Sequence, residues 1–323
     1  MNIFFASDDK FAKYLCVALT SLLINADKKD VFNFYILDSG ISEKSKLNIL
    51  KLRKIKDFEI EYIRTDENIF KNLPLSSACP HIPLQTYFRY LIPYFKPDIE
   101  KCFYFDCDII VKGSLQKLWN LSLEDNYAAV VEELYKESPA DAARFNLKHS
   151  FNAGVLLINN KKWVEDNIME KLFSNTLYLA ENNLLRWNDQ DVLNYTFREK
   201  VIYVSPKYNL QQNAYFDGQH SCYTEEEMDI ARQNPVIIHY NGYQKPWHNG
   251  CQHKLEKEYF RYLRKSPYKK EYWCSVVHNF VRNIFSVRNS DNHTHKIIII
   301  MGLKISVKKA CISKRKRVAK NGY

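Results

Sequence analysis

Three short apolar runs, at 2–6, Phe34–Leu37 and Phe58–Ile63, alternate with two segments of helical spacing in the first 65 residues. In the first helical segment Leu15, Ala18, Leu19, Leu22 and Leu23 recur at the interval that places side chains on one helix face. Ser42 begins the second, with Leu47, Ile49, Leu50 and Leu52 as its apolar positions. Strands that are apolar on both faces and alternate with helices fold as a parallel sheet covered on both sides. The predicted fold class is therefore α/β, and ligands of such sheets bind beyond the carboxyl ends of the strands.

The same reading continues down the chain. It predicts a helix over 86–95, a strand over 103–106, and strands at Tyr127–Val131 and Phe151–Ile158. A long helix is expected over 161–182, another from near Asn188, and short strands at Val201–Val204 and Val236–Tyr240. Pro206 to Asn213 and Pro246 to Cys251 read as loops. Among 323 residues there are only 8 glycines, and neither G-x-G-x-x-G nor G-x-x-x-x-G-K-[ST] occurs, which removes the usual glycine cradles for dinucleotides and triphosphates. H-E-x-x-H and G-x-S-x-G are also absent, against zincin and hydrolase-elbow chemistry.

The net charge of +10 is unevenly spread. Residues 261–323 hold 16 Lys/Arg and 2 Asp/Glu, a net of +14, whereas residues 1–260 hold 31 and 35, a net of −4. An acidic body with a basic tail directs any search for an anionic partner to the tail. The eight cysteines form no C-x-x-C and several lie inside apolar runs, a pattern of free thiols in a reducing compartment. Met1 to Asp9 lacks the basic and long apolar regions of a secretory signal, and the longest uniformly apolar stretch, Ile297 to Met301, is too short to span a bilayer.

Two places carry candidate chemistry. The run Cys102-Phe103-Tyr104-Phe105 ends in Asp106-Cys107-Asp108. Alternation puts both carboxylates on one side, where they repel unless a cation or solvent compensates. A hard divalent ion such as Mg²⁺ or Mn²⁺ takes oxygen ligands of this kind, and such an ion can hold a diphosphate. A solvated pair that starts a turn is the alternative. The second place is Val236 to His248, in which a strand delivers His239, Gly242 permits close approach of a ligand, and Lys245 adds positive charge. That combination suits metal-bridged phosphate, although His239 alone also fits an ordinary core histidine.

The order of Phe5-Ala6-Ser7-Asp8, Tyr14 to Ala18, Phe34 to Ser42, His81 to Arg89, Tyr104 to Asp108, Phe151 to Asn159, Asn188 to Asn194 and His239 to His248 resembles that of the bacterial family-8 retaining glycosyltransferases, in particular the lipooligosaccharide galactosyltransferase type. The resemblance covers roughly residues 1–260. It implies a GT-A domain, Rossmann-like with a mostly parallel sheet flanked by helices, over 1–260. A basic, helical, aromatic-rich membrane-association region is expected over 261–323.

The resemblance implies a UDP-sugar donor and Mn²⁺, with Mg²⁺ the other candidate, ligated by Asp106, Asp108 and His239. Ala6 and Asp8 would contact the uridine, Asp106 the ribose, and Lys245 and the Gly242 amide the diphosphate. Arg89, Asn152, Asp189 and Gln190 would surround the donor sugar, with Asp189 and Gln190 as the catalytic pair. Read alone, Asp189 to Asp191 also fits an exposed helix start. Glu133 stands where this subfamily usually has Asp, and Lys10 where relatives often have Asn.

The implied reaction is retaining transfer of galactose or glucose to a lipooligosaccharide or lipopolysaccharide core. Front-face attack is favoured because the amide of Gln190 is a poor nucleophile. The rival readings are a self-glucosylating primer of the glycogenin kind and a non-catalytic nucleotide-sugar-binding protein that docks on membranes. Aromatic residues from Tyr259 to Phe280, the apolar run 297–303 and the basic run Lys314–Arg317 suit an anionic membrane surface. The lipid-linked acceptor then places the chain on the cytoplasmic face of the inner membrane, and no nucleic-acid partner is expected.

Overall fold

Side chains of the central strands divide between two separate apolar cores, one on each face of the sheet. Ile3, Phe5, Phe103 and Phe105 pack with residues of the first helix, while Phe4, Cys102 and Tyr104 enter the opposite core. This is the two-residue period of a sheet buried on both sides. The computed structural model describes residues 1–79, 82–134, 138–215, 222–248, 251, 253–273, 285–289, 295–300 and 303–308. The chain divides into two units, Met1–Tyr268 and Lys269–Tyr323.

The first unit begins β1 (Asn2–Ser7), α1 (Ala12–Asn25), β2 (Asn33–Asp38), α2 (Glu43–Leu50) and β3 (Glu59–Arg64). A 3-10 helix (Leu84–Leu91) runs into α3 (Ile92–Phe95), followed by β4 (Lys101–Phe105), β5 (Ile109–Val111), α4 (Gln116–Trp119), β6 (Ala128–Val130) and α5 (Ser138–Arg144). Then come β7 (Val155–Asn159), α6 (Asn160–Glu165), α7 (Ile168–Glu181), α8 (Asp189–Phe197), β8 (Val201–Tyr203), β9 (Leu210–Gln211), α9 (Glu225–Gln233), β10 (Ile237–His239) and α10 (Glu256–Leu263). Seven strands form one sheet in the order β3-β2-β1-β4-β7-β6-β8, in which β7 runs against its neighbours. The expected mostly parallel sheet with helices on both faces is what forms.

Topology decides where the site falls. Strands β1 and β4 are parallel, and β7 opposes β4 with Val155 across from Phe105. The carboxyl ends of β1 and β4 and the start of β7 therefore share one edge, where the Asp106 amide donates to the Gly154 carbonyl at 2.9 Å. A small sheet, β5-β10-β9, continues from that edge. Its register sets His239 opposite Ile109 on one side and Gln211 on the other.

Several expected elements differ in detail. The helix foreseen over 161–182 is two helices, α6 and α7, because Asn167 takes a left-handed conformation (φ 51°, ψ 48°) that asparagine tolerates better than most residues. The strand foreseen from Phe151 begins only at Val155, since the Asn152 side chain accepts from the Gly154 amide at 3.0 Å and turns the backbone. The segment 206–213 is not simply a loop: it contains β9, whose two residues are too few to carry a readable period. Expected helix 86–95 is largely 3-10, from Leu84 to Leu91, with α3 after it.

In the second unit the expectation of a helical tail is corrected in part. Residues 269–273 are helical, but Phe285–Asn289, His295–Ile300 and Leu303–Lys308 form an antiparallel three-stranded sheet, β11-β12-β13. Runs of β-branched isoleucine favour strand over helix. Val276, Val277, Phe280 and Lys314–Arg317, which entered the membrane argument, lie outside the described residues. Among the described residues, no helix is long and apolar enough to cross a membrane. Their six cysteines are free thiols, and Cys16, Cys79, Cys102 and Cys107 are buried.

Leu157 is fully buried on β7, the strand that closes the site edge. Leu157→Ala is expected to lower stability by about 2–5 kcal/mol in urea unfolding, the range for an unfilled core cavity.

Candidate functional site

At the shared strand edge lies a cleft of about 590 Å³, lined among others by Ala6, Asp8, Arg89, Asp106, Asp108, Asn152, Asp189, Gln190, His239, Gly242 and Lys245. Its volume is in the range of small-molecule sites. These eleven residues, named from sequence as site candidates, thus meet in one place; Glu133 also lines the cleft, whereas Lys10 is not among its lining residues.

Asp106, Asp108 and His239 present one ligand atom each, all within 4.8 Å of one another. His239 Nε2 lies 3.3 Å from Asp108 Oδ1 and 3.8 Å from Asp106 Oδ2. The tautomer of His239 follows from its other nitrogen. Asn209 Nδ2 is spent on Asn152 Oδ1 at 2.9 Å, so Asn209 faces His239 Nδ1 with its oxygen, at 3.0 Å. Nδ1 is then the donor and Nε2 carries a lone pair towards two carboxylates. Three lone-pair-bearing atoms at such separations suit one hard-to-borderline divalent cation, since neighbouring ligands of an ion at about 2.1 Å sit about 3 Å apart.

Gly154 makes the space for this arrangement. A Cβ there would come within 2.2 Å of His239 Cε1 and 2.7 Å of Asp106 Oδ2. At Gly242 an added Cβ would meet Gln212 Oε1 at 2.2 Å, the far end of a flexible side chain that can turn aside. Lys245 Nζ donates to Asp108 Oδ2 at 2.5 Å and to the Tyr240 carbonyl at 2.7 Å. Burial alone would raise the Asp108 pKa, but the Lys245 ammonium beside it holds its carboxyl well below the ordinary range. The ring of Trp247, two residues further on, stacks on Tyr14 of α1 at 3.7 Å and steadies this loop.

Arg89 is buried yet forms ion pairs in two directions. Nη2 lies 3.0 Å from Asp106 Oδ1 and Nε 3.1 Å from Asp189 Oδ2. Nη1 donates to the Ala153 carbonyl at 2.5 Å, and the guanidinium stands 4.0 Å from the centre of the Tyr104 ring. Arg89 thus orients both carboxylates. Asp189 also accepts from Thr86 Oγ1 and is buried, unlike an exposed helix start. Burial pushes its carboxyl up to about 6 from 3.8, against the opposing pull of Arg89 and Thr86.

Gln190 is held on both atoms of its amide. Its oxygen accepts from the Ala153 amide at 3.1 Å and Asn152 Nδ2 at 3.3 Å, and its nitrogen donates to Glu133 Oε2 at 3.2 Å. Glu133 Oε2 also accepts from Asn152 at 2.8 Å. Ala6 and Asp8 reach the cleft from the end of β1, where the Ala6 carbonyl accepts from the Cys107 thiol at 3.3 Å and Asp8 Oδ1 accepts from the Phe11 amide at 2.8 Å. Sequence reasoning missed Asn209, Thr86 and the part played by Gly154. A glycine two residues after Asn152 was a usable signal, whereas nothing local marks Asn209.

Compared with known families, residues 2–251 match the family described as Glycosyl transferase family 8. The chain belongs to this family. It is an enzyme, a glycosyltransferase. A protein of Haemophilus influenzae is 32% identical over 257 residues, covering 78% of this chain and 74% of its own length. A lipopolysaccharide 1,2-glucosyltransferase of Escherichia coli is 29% identical over 286 residues, covering 83% and 81%. The solved structure of galactosyltransferase LgtC with donor and acceptor sugar analogues superposes with a TM-score of 0.71 at 28% identity, over 82% of this chain and 96% of that one. The shared fold is GT-A.

Two expectations follow from the geometry. Gly154→Ala should lower divalent-cation affinity about 10–100-fold, the usual effect of displacing a ligand's setting, while the circular dichroism of the fold stays unchanged. Because the folded pKa of Asp189 lies above its ordinary value, its contribution to stability is present at low pH and lost as pH rises through about 6. The stability of the wild type relative to Asp189→Asn should therefore fall between pH 4 and 7 in pH-resolved denaturant titrations.

Proposed function

We propose that this glycosyltransferase moves a hexose, galactose or glucose, from a UDP-sugar to a lipooligosaccharide or lipopolysaccharide core acceptor with retention at the anomeric carbon, and that it uses Mn²⁺, or Mg²⁺ in its place. The observation that carries the reading is the convergence of Asp106, Asp108 and His239 beside Lys245 in a cleft that also holds Asp189 and Gln190. The sugar and acceptor classes follow the names of the E. coli glucosyltransferase and the LgtC galactosyltransferase.

When bound by Asp106, Asp108 and His239, the cation would supply charge stabilisation for the departing diphosphate. Lys245, released from Asp108, adds a mobile positive charge at the same point, and the Gly242 amide a donor. Ala6 and Asp8, which line the cleft at the end of β1, would contact the nucleoside. Asp189, oriented by Arg89 and Thr86, can accept from two neighbouring sugar hydroxyls. Gln190 Oε1 is turned into hydrogen bonds with Ala153 and Asn152, which disfavours service as a nucleophile and favours front-face substitution. In that route the leaving phosphate takes the acceptor proton, with the Gln190 dipole beside the sugar.

For the second unit we propose association with an anionic membrane surface, on the cytoplasmic face where the lipid-linked acceptor is built. In β13 the side chains of Leu303, Ile305 and Val307 are exposed and alternate with Lys304, Ser306 and Lys308. Apolar and cationic side chains together suit the headgroup boundary of an anionic bilayer.

UDP release from purified protein with UDP-galactose or UDP-glucose, each with and without Mn²⁺, tests the reaction. Metal-dependent release from one donor is expected, and Asp108→Asn should abolish it with the fold retained; turnover like the wild type in that variant would remove the metal role. Truncation after about residue 275 should free the protein from anionic liposomes in sedimentation assays without loss of UDP binding.

A further inference from the structure

A second set of ligand-type side chains lies in the first unit, outside the lining of the cleft. Glu132, His149 and Cys222 offer one ligand atom each, and these atoms fall within 4.8 Å of one another. They arrive from three separate stretches of chain: the end of β6, the approach to β7 and the approach to α9. Glu132 is buried, with Oε1 3.2 Å from His149 Nδ1 and Oε2 accepting from the Cys222 amide at 2.9 Å.

The backbone around Glu132 is fixed. Its amide donates to the Tyr223 hydroxyl at 3.1 Å, its carbonyl accepts from Gln211 Nε2 at 2.8 Å, and it bridges to Phe151. Tyr203 meets the His149 ring edge-on at 5.6 Å. The cradle is therefore held by groups that are not themselves the ligands.

We propose that Glu132, His149 and Cys222 form a binding site for a borderline divalent cation, Zn²⁺ by class, distinct from the Asp106–Asp108–His239 site. The ligand chemistry separates the two. The cleft offers two carboxylates and one imidazole, which suit Mn²⁺ or Mg²⁺, whereas a thiolate selects the softer ion. Carboxylate, imidazole and thiolate are all ordinary zinc ligands, and three protein ligands leave the fourth tetrahedral position to water. On binding, the S–H bond breaks, the proton passes to solvent and a sulfur–metal bond forms, with no change of oxidation state.

The location gives the site a reach into the cleft. Glu132 adjoins Glu133, whose carboxylate accepts from Asn152 and Gln190, and His149 precedes Asn152 by three residues. A cation here would tie together the two backbone stretches that carry Glu133 and Asn152.

Cobalt titration of the full-length protein tests the proposal, because a thiolate ligand adds a charge-transfer band in the near ultraviolet that an Asp–Asp–His set does not give. The band is expected in the wild type, retained in Asp108→Asn, removed by Zn²⁺ in stoichiometric competition, and lost in both Cys222→Ser and His149→Ala with circular dichroism unchanged. Absence of the band from the wild type, or its persistence in Cys222→Ser, would overturn the assignment. Should His149→Ala fail to fold, the Cys222→Ser and Asp108→Asn spectra still decide between the two sites.

Discussion

A buried guanidinium governs this candidate site. Arg89 is almost wholly withdrawn from water, and a charge in that position is tolerated only when it is paired and hydrogen-bonded. Its partners are Asp106, Asp189, two backbone carbonyls and the face of Tyr104. Through them one side chain fixes the geometry of a candidate metal ligand and of a candidate sugar ligand together. Neither carboxylate can turn away without leaving buried charge uncompensated, so the site is organised before any ligand arrives.

A second line of polar contacts joins the same two regions by another route. Gln190 and Glu133 hold Asn152, Asn152 holds Asn209, and Asn209 sets the tautomer of His239. Each amide in this line has only one orientation that satisfies both neighbours. Positioning by such outer partners is what gives imidazole ligands their directed lone pair. Gly154 serves the same end by taking no space, since any larger residue would occupy the volume in which His239 and Asp106 approach each other.

Much of this was legible in the residues. The alternation of apolar strands and helices in the first 65 residues led to the parallel sheet, and the sheet led to its carboxyl edge as the place for a ligand. The pair Asp106 and Asp108 could be read as convergent because a strand leads into them, and the ordered motifs located His239, Lys245 and Asp189. What escaped depends on long-range geometry. Asn209 acts through partners 57 and 30 positions away, with no local pattern to mark it. The break at Asn167 turns on one backbone conformation in otherwise helical spacing, and β9 is a strand only because β10 lies beside it. The expectation of a helical tail fails where the isoleucine run 297–300 pairs as strand β12, while 269–273, in the aromatic and basic stretch, is helical.

The small sheet β5-β10-β9 has a consequence for how the protein comes into being. Asp106 and Asp108 leave the ribosome more than a hundred residues ahead of His239 and Lys245, and β10 must insert between β5 and β9 before the histidine faces the two carboxylates. During synthesis the large sheet can collapse around its two apolar cores while the acidic pair still faces water. The candidate cation site of the cleft is thereby complete only when the first unit has been made almost to its end, and until β10 is in place the acidic pair stays without its histidine.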